Sequence, residues 1–64
     1  MATTNKATIW WLVNGDGVML GSDRMTNGQL LWFHSLEVGR AVARRWAEGL
    51  RLMGLDVIFQ EAVA

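Results

Sequence analysis

Few side chains in this chain of 64 residues are of the types that carry out acid–base or metal chemistry. An enzyme that uses acid–base chemistry needs a base beside its nucleophile or two carboxylates in contrasting environments. His34 and Ser35 are adjacent just before a predicted helix, where Ser35 suits a helix cap. Asp16 and Asp23 fall in turn-like segments, where Asp hydrogen-bonds the local backbone. We therefore predict no catalytic residue, no metal site and no cofactor.

Arginines on the predicted helix suggest a different chemistry, the binding of phosphates. They are Arg40, Arg44, Arg45 and Arg51. Arginines beside exposed tryptophans can bind a nucleic acid through charge and base stacking. The chain, however, has 6 basic and 6 acidic residues, so it lacks the excess of cations that gives affinity for a polyanion. A solvated helix face explains these charges, and nucleic-acid binding through the four arginines is kept as the alternative hypothesis.

The aromatic side chains favour a contact with another protein. The chain has 4 Trp, which are too many for one small core. Trp is a favoured interface anchor because it buries a large area at a low cost in side-chain entropy. The residues that we expect to contact a partner are Trp10, Trp11, Leu12, Trp32 and Phe33.

Three strands are predicted in the first half of the chain. β-Branched and aromatic residues predict a strand over 7–13, and the glycine-containing turn at 14–17 predicts a hairpin. A second strand is predicted over 18–25, with a bend or bulge near Gly21, and a third over 29–33. Together they form a three-stranded antiparallel β-meander.

A helix and a last strand follow the meander. The helix is predicted over 36–53, because Ser35 can cap its first turn and Gly54 suits the left-handed conformation that ends helices. Its apolar face comprises Val38, Gly39, Val42, Ala43, Trp46, Leu50 and Met53. Alternating apolar residues predict a strand over 55–61, which could join either edge of the sheet or a neighbouring subunit. The predicted fold class is α+β, with one amphipathic helix packed on one sheet face and a C-terminal strand.

Both faces of the predicted sheet are apolar. In the first strand Ile9, Trp11 and Val13 alternate with two further apolar residues, Trp10 and Leu12. One helix covers only one face, and a sheet face in contact with water is normally polar. The sequence therefore predicts an apolar sheet face that binds either a second copy of the chain or a different protein.

Composition limits the domain organisation. With 64 residues and no Cys, the chain has room for one small domain, predicted over 7–64 after a flexible segment at 1–6, and no disulfide stabilises it. Because a small core gives little stability, we expect association with another chain to add to it. The longest apolar run, at 9–13, is far shorter than the ~20 residues of a membrane span. We expect a soluble, cytoplasmic protein with no membrane partner.

The predicted function is that of a small, non-enzymatic protein–protein interaction module. The order of elements is similar to that of antitoxin-type domains and small phage-encoded inhibitors of host enzymes, an architectural likeness that carries over no functional residues. The absence of catalytic groups and the surplus of apolar surface favour either a homodimer or a regulator or inhibitor of a larger protein. Nucleic-acid binding is the alternative, and a small enzyme or metal protein using His34 with Asp16 or Asp23 is a third.

Overall fold

The computed structural model describes residues 5–63, with side chains as far as Glu61. The elements are β1 (Lys6–Asn14), β2 (Gly17–Ser22), β3 (Leu31–Phe33), α1 (Leu36–Leu52) and β4 (Asp56–Val63). The predicted α+β class is confirmed, with strands and helix in the predicted order. Most of the predicted flexible segment 1–6 lies outside the described residues, and Lys6 already belongs to β1.

The four strands form one mixed sheet in the order β3-β2-β1-β4. β1 pairs with β2 antiparallel and with β4 parallel, and β2 pairs with β3 antiparallel. The chain therefore leaves the sheet at one edge, crosses it through α1 and re-enters at the other edge. The sequence does not decide which edge of the sheet the last strand joins. In the structure it joins the edge beside β1.

The first turn is the predicted hairpin. Asn14 pairs with Gly17, so only Gly15 and Asp16 form the loop. Gly15 has a φ of +65°, whereas Asp16 has an ordinary negative φ. A glycine at the first central position is typical of the type II′ turn, whose twist matches that of the two strands.

The second connection is longer than predicted. β2 ends at Ser22 rather than residue 25, and β3 begins at Leu31 rather than residue 29. The carbonyl of Ser22 accepts hydrogen bonds from the N–H groups of Thr26 at 3.1 Å and Gly28 at 3.0 Å. The predicted strand ends were wrong because these local bonds turn the chain away from the sheet before either strand can extend.

Both ends of α1 are formed by the predicted capping residues. The Ser35 side chain accepts a hydrogen bond from an N–H group of the first turn. Gly54 has a φ of +85°, and the N–H of Leu55 donates to the carbonyl of Leu50 at 3.1 Å, as in a Schellman motif. The helix ends at Leu52 rather than residue 53. Within residues 5–63, no helix has the length and apolar character needed to cross a membrane.

The helix packs on the sheet through small residues. Gly39, Ala43 and Ala47 are buried and recur every four residues along one face of α1. A Cβ atom on Gly39 would lie 2.2 Å from Cγ1 of Val18 in β2, so the helix backbone lies very close to the sheet. This close approach buries a core of Ala7, Ile9, Val18, Leu20, Ala43, Ala47 and Leu50.

The apolar face of α1 is narrower than the sequence indicates. Val38 is 43% exposed and Met53 is 72% exposed, although both were predicted on the packed face. Ala47, by contrast, is only 2% exposed. Because the helix contacts the sheet along a row of small side chains, larger residues at the sides of that row remain in contact with water.

Candidate protein interaction surface

The sheet face opposite α1 is covered by no element within residues 5–63. The strand register places Leu12, Met19 and Trp32 side by side across β1, β2 and β3 on this face. Trp32 is 53% exposed, and Ile58 in β4 is 40% exposed. We use the term open face for the surface formed by six apolar side chains: Trp10, Leu12, Met19, Leu30, Trp32 and Ile58.

Two glycines of β2 form depressions that hold large side chains against the open face. A Cβ atom on Gly17 would lie 2.4 Å from Cη2 of the Trp32 ring. A Cβ atom on Gly21 would lie 2.9 Å from Cδ2 of Leu30. Trp32 and Leu30 therefore occupy space that a side chain in β2 would otherwise fill, and this contact limits the positions that the exposed Trp32 ring can take.

A hydrogen bond orients the second tryptophan of the open face. Nε1 of Trp10 donates to Oε1 of Gln60 in β4 at 2.7 Å. The indole N–H is thereby satisfied, and the ring presents apolar surface beside a hollow of about 440 Å³. Trp10, Leu12, Leu30 and Gln60 are among the residues that line this hollow. The open face thus carries both a half-exposed indole ring, that of Trp32, and a recess.

The structure divides the five residues predicted to contact a partner. Trp10, Leu12 and Trp32 lie together on the open face. Trp11 and Phe33 lie on the other face, partly buried against the hydrophobic core. The strand register thus agrees with the prediction that alternate apolar residues of a strand lie on opposite faces of the sheet, both of which are apolar.

Three residues of the open face were not among the predicted contacts. They are Met19, Leu30 and Ile58. The sequence held a signal for Ile58, because it is the apolar exception on the polar side of the alternation in the last strand. The sequence also held a signal for Leu30, because it alternates with Leu31 and so lies on the same side as Trp32 in the predicted third strand. Met19 joins the surface through the pairing of β2 with its neighbours.

Three of the four helix arginines lie beside a second recess, on the α1 side of the sheet. This recess, of about 380 Å³, lies between α1 and β4, and we call it the arginine groove. Its lining residues are Trp11, Arg40, Ala43, Arg44, Ala47, Arg51, Phe59 and Glu61. Arg45 is exposed on the same helix but does not line the groove.

The acid–base candidates lie apart from these surfaces. Asp23 accepts a hydrogen bond from the backbone N–H of Thr8 through Oδ1 at 2.9 Å, which continues the contact between β1 and β2 past the end of the ladder. Ser35 caps α1, and His34 is exposed beside it. Within residues 5–63, no group of three or more His, Cys, Asp or Glu side chains is placed to hold a metal ion.

Comparison of the chain with protein-family models, with curated proteins and with solved structures finds no match.

Proposed function

We propose that this protein is a non-enzymatic interaction module that forms a homodimer through the open face. The observation that carries the proposal is the 53% exposed Trp32 ring, which lies on Gly17 near the β3 edge of an apolar sheet face that no described element covers. Apolar side chains of this size are favourable to bury and act as anchors in protein interfaces.

The shape of the open face favours a second copy as the occupant. In a two-fold symmetric dimer the same patch is used twice, so a protrusion on it must meet a recess on it. The exposed half of the Trp32 ring supplies the raised part of the patch, and the hollow of about 440 Å³ beside Trp10 and Leu30 is large enough to receive it. Each copy then packs the exposed half of its Trp32 ring against the hollow of the other copy.

The area of the open face is small and predicts a weak dimer. The strands have 9, 6, 3 and 8 residues, so at about 3.3 Å per residue and about 4.8 Å between strands they cover roughly 400 Å². Two copies then bury on the order of 800 Å² in total, which is below the roughly 1,200–2,000 Å² of stable interfaces and typical of weak ones. We therefore expect a dissociation constant of about 100 µM, which corresponds to a binding free energy of about −5.5 kcal/mol.

Charge does not oppose the packing of two open faces. Lys6 and Asp56 are register partners in β1 and β4, so their opposite charges lie side by side at one end of the face. Because this pair is neutral as a whole, two copies meet without net repulsion there. We also propose a cytoplasmic location, since a chain with no Cys needs no oxidising compartment to complete its fold.

Light scattering coupled to size exclusion tests the proposal, over protein concentrations from about 10 µM to about 1 mM. We expect a concentration-dependent dimer whose stability changes little between low and high salt, because the contact is apolar. Trp32→Ala should be monomeric throughout this range. Leu52→Ala is the matched control, since Leu52 is 89% exposed on α1 and lies away from the open face.

Three outcomes would reject self-association through the open face. The first is a wild-type chain that stays monomeric at the highest concentration, in which case a different protein is the occupant to be sought. The second is a dimer that Trp32→Ala leaves intact while circular dichroism shows the fold unchanged. The third is a dimer that Leu52→Ala weakens as strongly as Trp32→Ala does.

A further inference from the structure

We propose that the outer edge of β4 and the arginine groove together bind one extended acidic peptide segment, which adds to the sheet as a further strand. The segment pairs with the backbone of β4, and its acidic side chains lie over the groove. This site is on the α1 side of the sheet, so the inference does not rest on the open-face dimer.

The backbone of β4 has a free edge. The N–H of Asp56 donates to the carbonyl of Asn5 at 2.7 Å, so the backbone groups of Asp56 face β1. The direction alternates along a strand, and the N–H and C=O groups of Val57, Phe59 and Glu61 therefore point away from β1. β4 ends the sheet, and no strand within residues 5–63 pairs with these groups.

This edge has few of the features that usually prevent strand addition. β4 has 8 residues, DVIFQEAV, with neither Lys nor Pro among them. Phe59 is 48% exposed on the side of α1, and Ile58 is 40% exposed on the open face. Long edge strands with exposed apolar residues readily pair with another chain, and proteins normally blunt or cover them. An added strand would satisfy the outward backbone groups and cover Phe59.

The charge beside this edge selects an acidic segment. Three exposed arginines line the groove, Arg40, Arg44 and Arg51, against a single acidic residue, Glu61. Arg40 and Arg44 are about 6 Å apart along the helix axis, from a rise of about 1.5 Å per residue. Alternate side chains of a strand are spaced by about 6.6 Å. Carboxylates at alternate positions of the added strand can therefore each meet one guanidinium group.

An extended peptide fits this site better than a single-stranded nucleic acid does. A second polypeptide backbone supplies both acceptors and donors for the outward N–H and C=O groups of β4. A phosphodiester backbone has no donor for those C=O groups. Glu61 in the groove disfavours carboxylates and phosphates alike, so backbone pairing with β4, rather than charge, distinguishes the two ligands. Phe59 is exposed for stacking, whereas Trp11 is partly buried against the core.

A synthetic peptide of nine residues, in which Val and Glu alternate between blocked ends, is the probe. We expect it to shift the amide resonances of Val57, Phe59 and Glu61 in nitrogen-15 spectra and to bind in fluorescence anisotropy. The same peptide with Lys in place of Glu should not bind. Successive amides of a strand point to opposite edges, and only one edge of the added strand faces β4. N-methylation at every second residue should therefore abolish binding for one of the two possible sets of positions and leave the affinity unchanged for the other.

Charge reversal on the helix tests the role of the groove. Arg44→Glu should weaken binding of the acidic peptide about tenfold or more, because it replaces a charge-assisted contact with repulsion. Arg45→Glu is the matched control, with the same charge change on the same helix outside the groove, and it should change the affinity by less than about twofold.

The proposal is overturned by any of four results. The first is that millimolar acidic peptide shifts none of the three amide resonances, and the second is that the lysine peptide binds as tightly as the acidic one. The third is that Arg44→Glu and Arg45→Glu weaken binding of the acidic peptide equally. The fourth is that the two N-methylated peptides bind with equal affinity. A nine-nucleotide oligo-dT that binds more tightly than the peptide, with shifts at the same three amides, would instead assign the groove to nucleic acid.

Discussion

Two glycines of α1 provide a direct test of how closely the helix lies on the sheet. A Cβ atom on Gly39 would lie 2.2 Å from Cγ1 of the fully buried Val18. A Cβ atom on Gly49 would have nothing within 4 Å. The same substitution, Gly to Ala, should therefore have opposite effects on the free energy of unfolding at the two positions.

The size of each effect follows from two terms. Replacing Gly by Ala inside a helix stabilises it by about 1 kcal/mol, and this gain applies at both positions. At Gly39 the overlap with Val18 must be relieved by moving the helix or the strand, and overpacking of this kind costs about 3 kcal/mol at the upper end of its usual range. We expect Gly39→Ala to destabilise the fold by about 2 kcal/mol and Gly49→Ala to stabilise it by about 1 kcal/mol.

Thermal unfolding followed by circular dichroism, at one fixed protein concentration, measures both effects. For a domain of this size about 1 kcal/mol corresponds to roughly 4–8 °C, so Gly39→Ala should lower Tm by about 8–16 °C while Gly49→Ala raises it by about 4–8 °C. In a Val18→Ala background the loss caused by Gly39→Ala should shrink. A Gly39→Ala variant that gains as much stability as Gly49→Ala would refute the close approach of helix and sheet.

Two further predictions concern turns. Gly54→Ala should lower the stability by about 1–2 kcal/mol, because Gly54 has a φ of +85° and L-residues are strained there although no atom would clash with the new Cβ; an unchanged Tm would contradict this. Ser22→Ala should cost about 1–2 kcal/mol, because the Ser22 Oγ accepts hydrogen bonds from the N–H groups of Arg24 at 3.1 Å and Met25 at 3.3 Å. Urea unfolding measures that loss, and a midpoint equal to that of the wild type would show that water replaces the hydroxyl.

Local signals in the sequence predicted the elements that depend on local chemistry. Ser35 and Gly54 marked the ends of α1 because capping is decided by hydrogen bonds within one turn. The hairpin at Gly15 was predicted for the same reason, since a turn of two residues needs a positive φ. In contrast, the predicted end of β2 was wrong. The N–H of Thr26 donates to the carbonyl of Ser22, and strand propensity takes no account of such a competing hydrogen bond.

Contacts between distant parts of the chain could not be predicted from the sequence. The place of β4 beside β1 depends on pairing residues such as Ile9 and Phe59, which are far apart in the chain. The same pairing places Phe59 among the residues that line the groove with Arg40, Arg44 and Arg51, whereas Arg45 does not line it. The alternation of apolar residues predicted that an open face exists, and it carried signals for Leu30 and Ile58, but only the strand pairing brings Met19 beside Leu12 and Trp32.

The two proposed surfaces arise from the same feature, a single helix on a sheet that is apolar on both faces. Because small residues at Gly39 and Ala43 bring α1 close to the strands, the arginines that flank this row stand beside β4. The other face receives no cover within residues 5–63. Two sheets packed through their open faces would leave the β4 edge and the arginine groove of each copy directed outward. A homodimer would then offer two separate sites for acidic segments, so a partner with two such segments linked by a sufficient length of chain would bind more tightly than either segment alone.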